Sequence, residues 1–125
     1  MRLGGRVFMD TINPETWIKK LKESGYTAAF CPIDGKASDS LIADYKKAAD
    51  ENNIVIAETG AWSNPISPNE KERLQAVRLC KNQLALAEKI GARCCVNISG
   101  SRSSDYWAGH HAENMSSETF DIIVG

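Results

Sequence analysis

The chain has 125 residues, and its 15 Lys and Arg against 16 Asp and Glu give a formal net charge of −1. With 42% hydrophobic and 25% charged residues, its composition is typical of a globular protein and excludes a disordered or fibrous chain. The balanced charge lacks the basic surplus that binding to a phosphate backbone requires, so no nucleic-acid partner is expected. The length predicts one domain over residues 1–125.

The absence of targeting signals and the spacing of the cysteines both indicate a cytoplasmic protein. No apolar run approaches the roughly 18 to 20 residues that cross a bilayer, and the N-terminus lacks the apolar core of a signal peptide. We therefore predict a cytoplasmic protein with no membrane partner. The chain has four cysteines: Cys31, Cys80, Cys94 and Cys95. They have no C-x-x-C spacing, which favours reduced thiols with a structural role.

The first strand is predicted over residues 3–9, opened by two glycines and followed by a helix. Asn13 is a suitable N-cap, and Pro14 fits the first helical position, where its missing N–H costs nothing. Gly25 then provides the left-handed residue that ends a helix.

A second strand and helix follow directly. Residues 26–33 form an apolar run without polar alternation, typical of a strand covered on both faces. The second helix begins around residues 38–40 and ends at Asn52 and Asn53.

The third helix has the clearest predicted start. Ser67, Pro68 and Glu70 have the spacing of a capping box with proline at the first helical position, and Gly91 ends the helix. Its predicted apolar stripe steps by three or four residues: Leu74, Val77, Cys80, Leu84, Ala87 and Ile90.

The remaining strands are short and apolar. Residues 54–57 predict a third strand that ends at Glu58, and residues 94–99 predict a fourth strand. After a loop rich in Gly, Ser, His and Trp, Ser116 is expected to cap a short fourth helix.

The strand–helix pair occurs four times without a hairpin signal, which predicts an α/β fold with a parallel sheet and right-handed crossovers. Four such units are half of an eight-unit TIM barrel, so we predict a half-barrel with about four of the eight βα units. An open doubly wound sheet is the alternative. It is less favoured because the first turn carries no dinucleotide-binding fingerprint.

Several stretches resemble the sugar phosphate isomerase/epimerase family, the xylose isomerase-like branch of the TIM barrels. They are IAETGAWSNP at 56–65, EKER at 70–73 and LAEKIGARCCVNISGSR at 86–102. The resemblance implies the N-terminal half of the family's domain. It also implies metal-dependent isomerisation or epimerisation of a sugar or sugar phosphate by proton transfer next to a carbonyl.

In the family, as the resemblance implies, Mn or Mg is held by two glutamates, an aspartate and a histidine on later strands, which this chain does not contain. We therefore expect no tight metal binding and no turnover by the chain alone, and its catalytic residues stay unknown. The adjacent His110 and His111 do not form a metal site by themselves.

Five residues are candidates for binding the sugar at the C-terminal ends of the strands, where barrel enzymes bind substrate. A carboxylate ends an apolar strand, an indole can stack on a sugar ring, and a guanidinium can hold a phosphate or carboxylate. Each also has an ordinary alternative: an ion pair, loop packing, a structural amide bond or a solvated arginine. The candidates are Glu58, Trp62, Asn64, Asn97 and Arg102.

Two other function classes stay open. A non-catalytic half-barrel would self-assemble or serve as an interaction unit, whereas a metal-dependent endonuclease fragment is disfavoured because the histidines it needs are absent. We predict a homo-oligomer, because an open four-stranded sheet leaves two unpaired edges and an exposed apolar face. The charged cluster at 70–73 is interpreted as a solvated helix face with local pairing.

Overall fold

The computed structural model describes residues 1–8 and 13–124. Within these residues four strands alternate with four α-helices, and a 3-10 helix precedes the last. Over these two ranges, no helix is both long and apolar enough to cross a membrane. The elements are β1 (Gly4–Gly5), α1 (Pro14–Glu23), β2 (Ala28–Phe30), α2 (Asp39–Glu51), β3 (Val55–Ala61), α3 (Glu70–Ile90), β4 (Cys94–Asn97), the 3-10 helix (Ala112–Met115) and α4 (Ser117–Val124).

The strands lie in chain order in one sheet, β1-β2-β3-β4. The β1–β2 and β2–β3 pairs are parallel. An open doubly wound sheet would reverse its strand order at a switch point, so the sequential order excludes that alternative. The predicted α/β arrangement of four βα units is confirmed.

Most helix ends lie where the sequence predicts them. The side chain of Asn13 accepts a hydrogen bond from the backbone N–H of Thr16 at 2.9 Å, and the Thr16 hydroxyl accepts one from Asn13 at 3.2 Å, which completes a capping box. Gly25 follows α1 with a φ of +69°. Ser38 caps α2 and Ser116 caps α4 through their hydroxyls.

The first two strands are shorter than predicted. β1 consists of Gly4 and Gly5 alone rather than residues 3–9, and Met9 lies outside the described residues. A side chain at Gly4 would collide with the backbone of Ala28, so the close pairing of β1 with β2 requires glycine. β2 covers three residues of the predicted run 26–33.

The predicted start of α3 is wrong by two residues. Asn69 rather than Ser67 is the N-cap, because its side-chain oxygen accepts a hydrogen bond from the backbone N–H of Glu72 at 3.3 Å. The Ser67 hydroxyl instead accepts from the Asn69 N–H at 3.2 Å and donates to the Glu72 carboxylate at 3.0 Å. Ser67 therefore forms a turn that precedes the helix, and Pro68 lies in this turn rather than at the first helical position.

The predicted apolar stripe of α3 is also partly wrong. Leu74 and Leu84 are 59% and 58% exposed. The buried Thr59 of β3 donates to the backbone oxygen of Gln83 at 3.4 Å, which brings a different face of the helix against the sheet. The buried residues of α3 are Ala76, Gln83, Leu86, Ala87 and Ile90.

The chain divides into two compact units, the first comprising Met1–Thr59 and Asn82–Val96 and the second Gly60–Lys81 and Asn97–Gly125. The first unit contains a continuous apolar core in which the rings of Trp17 and Tyr45 meet edge to face at 5.5 Å. The core consists of Trp17, Ile18, Leu21, Ala29, Cys31, Ile42, Tyr45, Ala49, Ile54, Ile56, Leu86 and Ile90.

The second unit buries far less apolar surface. Among its described residues the buried side chains are Ala61, Ile66, Ser67, Ala76, Ser101 and Thr119, of which half are polar. Hydrogen bonds between its loops, described below, provide the remaining order. All four cysteines of the chain are unpaired.

Candidate functional site

A register shift places Glu58 on the sheet. Ala29 pairs with Ile56, but the next residue of β2, Phe30, pairs with Glu58, so β3 contains one extra residue at this point. Without the shift, Glu58 would share the face of the buried Ile56, because side chains alternate along a strand. The bulge turns its carboxylate to the face of Phe30 instead. Glu58 does not end the strand as predicted, since β3 continues to Ala61.

The face that carries Glu58 lines a cavity of about 460 Å³ in the first unit. The guanidinium of Arg6 lies over the rings of Phe30 and Phe8, at 5.5 and 5.7 Å. Arg2 also lines the cavity and donates to the backbone oxygen of Asn53 at 2.6 Å. Two cations and one carboxylate thus share this face.

The second unit contains a cavity of about 440 Å³ with two tryptophans in its wall. Trp62 and Trp107 are 50% and 41% exposed. The predicted Asn64 lies in the same wall, together with Glu72 and Gln75 of α3. Trp107 and Gln75 are not among the residues predicted from the sequence, and Glu72 was predicted to lie on a solvated helix face. A tryptophan in a loop rich in glycine and serine was the available signal in the sequence.

Asn64 joins the loops that follow β3 and β4. Its amide donates to the backbone oxygen of Ser101 at 2.7 Å and accepts from the Ser101 N–H at 2.9 Å. Gly100 has a φ of +91°, and a side chain there would collide with Asn64. The amide therefore fixes the position of a cavity-lining loop through both of its hydrogen-bonding groups.

Arg102 is engaged by the protein rather than solvated. Its guanidinium donates to the backbone oxygen of Ile66 at 3.2 Å and lies 3.8 Å from the carboxylate of Glu118. Its side chain is 12% exposed. Within the part of the chain that the structure describes, the buried Nε of Arg102 has no hydrogen-bond partner. Arg102 thus ties the loop after β4 to the loop before α3 and to α4.

Asn97 lies at the end of β4, where it is exposed rather than buried as its apolar surroundings in the sequence indicated. Its side-chain oxygen accepts from the thiol of Cys80 at 3.1 Å. Of the five predicted residues, Trp62 and Asn64 line one cavity. Asn97 and Arg102 belong to the same unit without lining that cavity, and Glu58 belongs to the first unit. Sugar binding by these residues stays a prediction.

The donor groups of the described residues do not form a site for a divalent metal. Over residues 1–8 and 13–124, no group of three or more His, Cys, Asp or Glu side chains is placed to hold an ion. Mn and Mg require about six oxygen or nitrogen ligands. His111 is used locally, because its Nδ1 accepts from the backbone N–H of Glu113 at 3.3 Å.

Comparison with known proteins identifies the fold. No protein-family profile matches the sequence, and no curated protein matches it. Among solved structures, the chain is similar to the 3-keto-D-glucoside 4-epimerase YcjR of E. coli in its apo form, with 17% identity and a TM-score of 0.66 over 96% of this chain and 49% of that one.

Two further structures are similar. One is a D-psicose 3-epimerase in the presence of D-fructose, with 17% identity and a TM-score of 0.64 over 90% of this chain and 40% of that one. The other is the D-psicose 3-epimerase of Clostridium cellulolyticum H10 with D-tagatose, with 20% identity and a TM-score of 0.60 over 89% and 40%.

The chain therefore spans half or less of the length of these three structures. At these identities the similarity concerns the fold. The chain has the fold of part of a TIM barrel, as predicted from its strand–helix alternation.

Proposed function

We propose that the chain supplies a sugar-binding part of a metal-dependent isomerase/epimerase barrel that acts on a sugar or sugar phosphate. The tryptophan-lined cavity of the second unit carries this proposal. Trp62 and Trp107 offer aromatic surface to the apolar side of a sugar ring. Asn64, Glu72 and Gln75 offer polar groups to its hydroxyls. The similar solved structures are those of sugar epimerases, which supports the same class of ligand.

Catalysis in such a barrel needs a base and an electrophile next to the carbonyl. Among the described residues, the two cavities contain one carboxylate each, Glu58 and Glu72, and no group of residues could hold a metal ion. We therefore propose that the base and the Mn or Mg ligands come from other strands of a complete barrel. The chain alone would then bind sugar in the cytoplasm without turning it over.

Sugar binding is tested through the indole N–H signals of the three tryptophans in a nitrogen–proton NMR spectrum. Trp17 is 1% exposed and serves as an internal reference for the folded core. D-fructose should shift the signals of Trp62 and Trp107 and leave that of Trp17 in place. Sorbitol, which forms no ring, should shift none of them.

Matched variants sharpen this test. Trp62→Ala and Trp107→Ala should each weaken D-fructose binding about fivefold, because an aromatic contact contributes about 1 kcal/mol. Phe120→Ala removes an aromatic side chain that is 63% exposed and outside the cavity, and it should leave the affinity unchanged. Absence of any indole shift at 100-fold excess of ketose, or equal loss in all three variants, would reject the proposal.

Self-assembly is a second candidate function. It is favoured by the sheet face of the first unit that carries Arg6, Phe30 and Glu58. Arg6 and Glu58 line one cavity there, so two copies could pair the arginine of each with the glutamate of the other. We propose a homo-oligomer built on this face. Light scattering should show a dimer or larger assembly at micromolar concentration. Arg6→Glu or Glu58→Arg should dissociate it, and the double variant should restore it. A wild-type monomer would contradict this candidate.

A further inference from the structure

Trp107 lies in a tight turn. The backbone N–H of Gly109 donates to the oxygen of Tyr106 at 3.3 Å, which closes a four-residue turn with Trp107 as its second residue. A side chain at Gly109 would lie 2.7 Å from the ring of Tyr106, so glycine at this position leaves room for that ring against the turn. The backbone at Trp107 is thereby set by the anchoring of the two ends of this turn.

Each end of the turn has a side-chain anchor. Before the turn, the hydroxyl of Ser103 accepts from the N–H groups of Asp105 and Tyr106, at 3.1 and 3.3 Å. After the turn, the amide of Asn114 donates to the backbone oxygen of Gly109 at 3.2 Å. Asn114 itself is not part of the cavity wall.

The other group of the Asn114 amide extends the connection. Its oxygen accepts from the backbone N–H of Arg102 at 2.8 Å and from the hydroxyl of Ser101 at 3.4 Å. Ser101 is fully buried, and its backbone is the part of the chain that binds Asn64 of the cavity wall. One asparagine therefore links the turn of Trp107 to the loop segment bound by Asn64.

We infer that Asn114 is a positioning residue of the sugar site, which holds Trp107 in the cavity wall without touching the ligand. The inference rests on the proposed sugar-binding function. The role requires an amide, because one group must donate to Gly109 while the other accepts from Arg102 and Ser101. Aspartate has the same shape and accepts, but when ionised it cannot donate.

Asn114→Asp tests this role by removing one hydrogen bond. The indole N–H signal of Trp107 should shift and broaden, that of Trp17 should stay in place, and D-fructose affinity should fall about tenfold. Asn69→Asp is the matched control. It adds the same charge to the same unit and keeps the acceptor that caps α3. It should leave the Trp107 signal and the affinity unchanged.

Further outcomes separate the two proposals. Ser103→Ala, which removes the anchor on the other side of the turn, should also move the Trp107 signal, and it replaces the first variant if Asn114→Asp does not fold. A Trp107 signal that stays in place, or moves equally in Asn69→Asp, overturns the positioning role. A signal that moves in Asn114→Asp while wild-type protein binds no D-fructose supports the positioning and overturns sugar binding.

Discussion

The two units of the chain are stabilised by different forces. Twelve buried side chains form one continuous apolar cluster in the first unit, whereas the described part of the second unit buries three apolar side chains and relies on the amides of Asn64 and Asn114. Apolar burial is non-directional and spread over many contacts. Hydrogen bonds are directional, and a buried group that loses its partner is costly.

This difference explains why the candidate sugar site lies in the second unit. A binding site must hold a few side chains at defined positions, and asparagine bonds do this without filling the cavity. The disadvantage is a low local stability, because few apolar contacts resist opening of the loops. We therefore expect mutations to affect the global stability of the first unit and the local order of the second.

The largest effect is expected in the apolar core. Leu21 is fully buried, so Leu21→Ala should lower the free energy of unfolding by about 2–5 kcal/mol through lost burial and a residual cavity. Leu84 belongs to the same unit but is 58% exposed, and Leu84→Ala should change stability by about 0.5 kcal/mol or less. Urea denaturation measures both. Equal losses in the two variants would contradict the assigned core.

The local order of the second unit is tested by removing the hydrogen bonds between the Asn64 amide and the backbone of Ser101. Asn64→Leu leaves the N–H and the oxygen of the buried Ser101 without their partner, at a cost of about 1–3 kcal/mol. Hydrogen exchange should accelerate at residues 100–109 and stay unchanged at Trp17. Asn64→Asp retains the acceptor and should show about half of this effect. Faster exchange throughout the chain would instead show that both units open together.

Much of the fold could be predicted because its signals are local. The cap at Asn13 and the glycine stop at Gly25 depend on neighbouring residues alone. The bulge before Glu58 and the buried face of α3 arise from pairing between distant segments, which no local pattern encodes. Strand–helix alternation was therefore confirmed, while the boundaries of β1 and the orientation of α3 were wrong.

The site was predictable only in part. Trp62 and Asn64 follow a recognisable strand, so their place at its carboxyl end was predictable. Trp107 has no such strand next to it, and its position depends on Asn114, seven residues further along the chain. Such a contact is set by the tertiary structure of the loop.

A smaller effect is expected at the start of α1. Asn13→Ala removes the side chain that accepts from the Thr16 N–H and should lower the free energy of unfolding by about 1 kcal/mol. Asn13→Asp keeps the acceptor and places a negative charge at the positive end of the helix, so it should match the wild type or exceed it. Urea midpoints compare the three proteins. A loss in Asn13→Asp as large as in Asn13→Ala would disprove the cap.

The smallest effect concerns the response of the first unit to alkali. Burial raises the pKa of the Cys31 thiol above its ordinary value of 9.0; the hydrogen bond to the backbone oxygen of Ile33 lowers this pKa in part, and the nearby Asp34 carboxylate raises it further. The unfolded chain therefore loses this proton first. The protonated Cys31 thiol therefore contributes to the free energy of unfolding. This contribution is fully present below pH 9 and is lost as the pH rises through the pKa of the native thiol. Urea midpoints between pH 7 and 10 should fall less steeply in Cys31→Ala than in the wild type. Cys94→Ala removes an exposed thiol and should retain the wild-type slope, and parallel curves for all three proteins would contradict the role of Cys31.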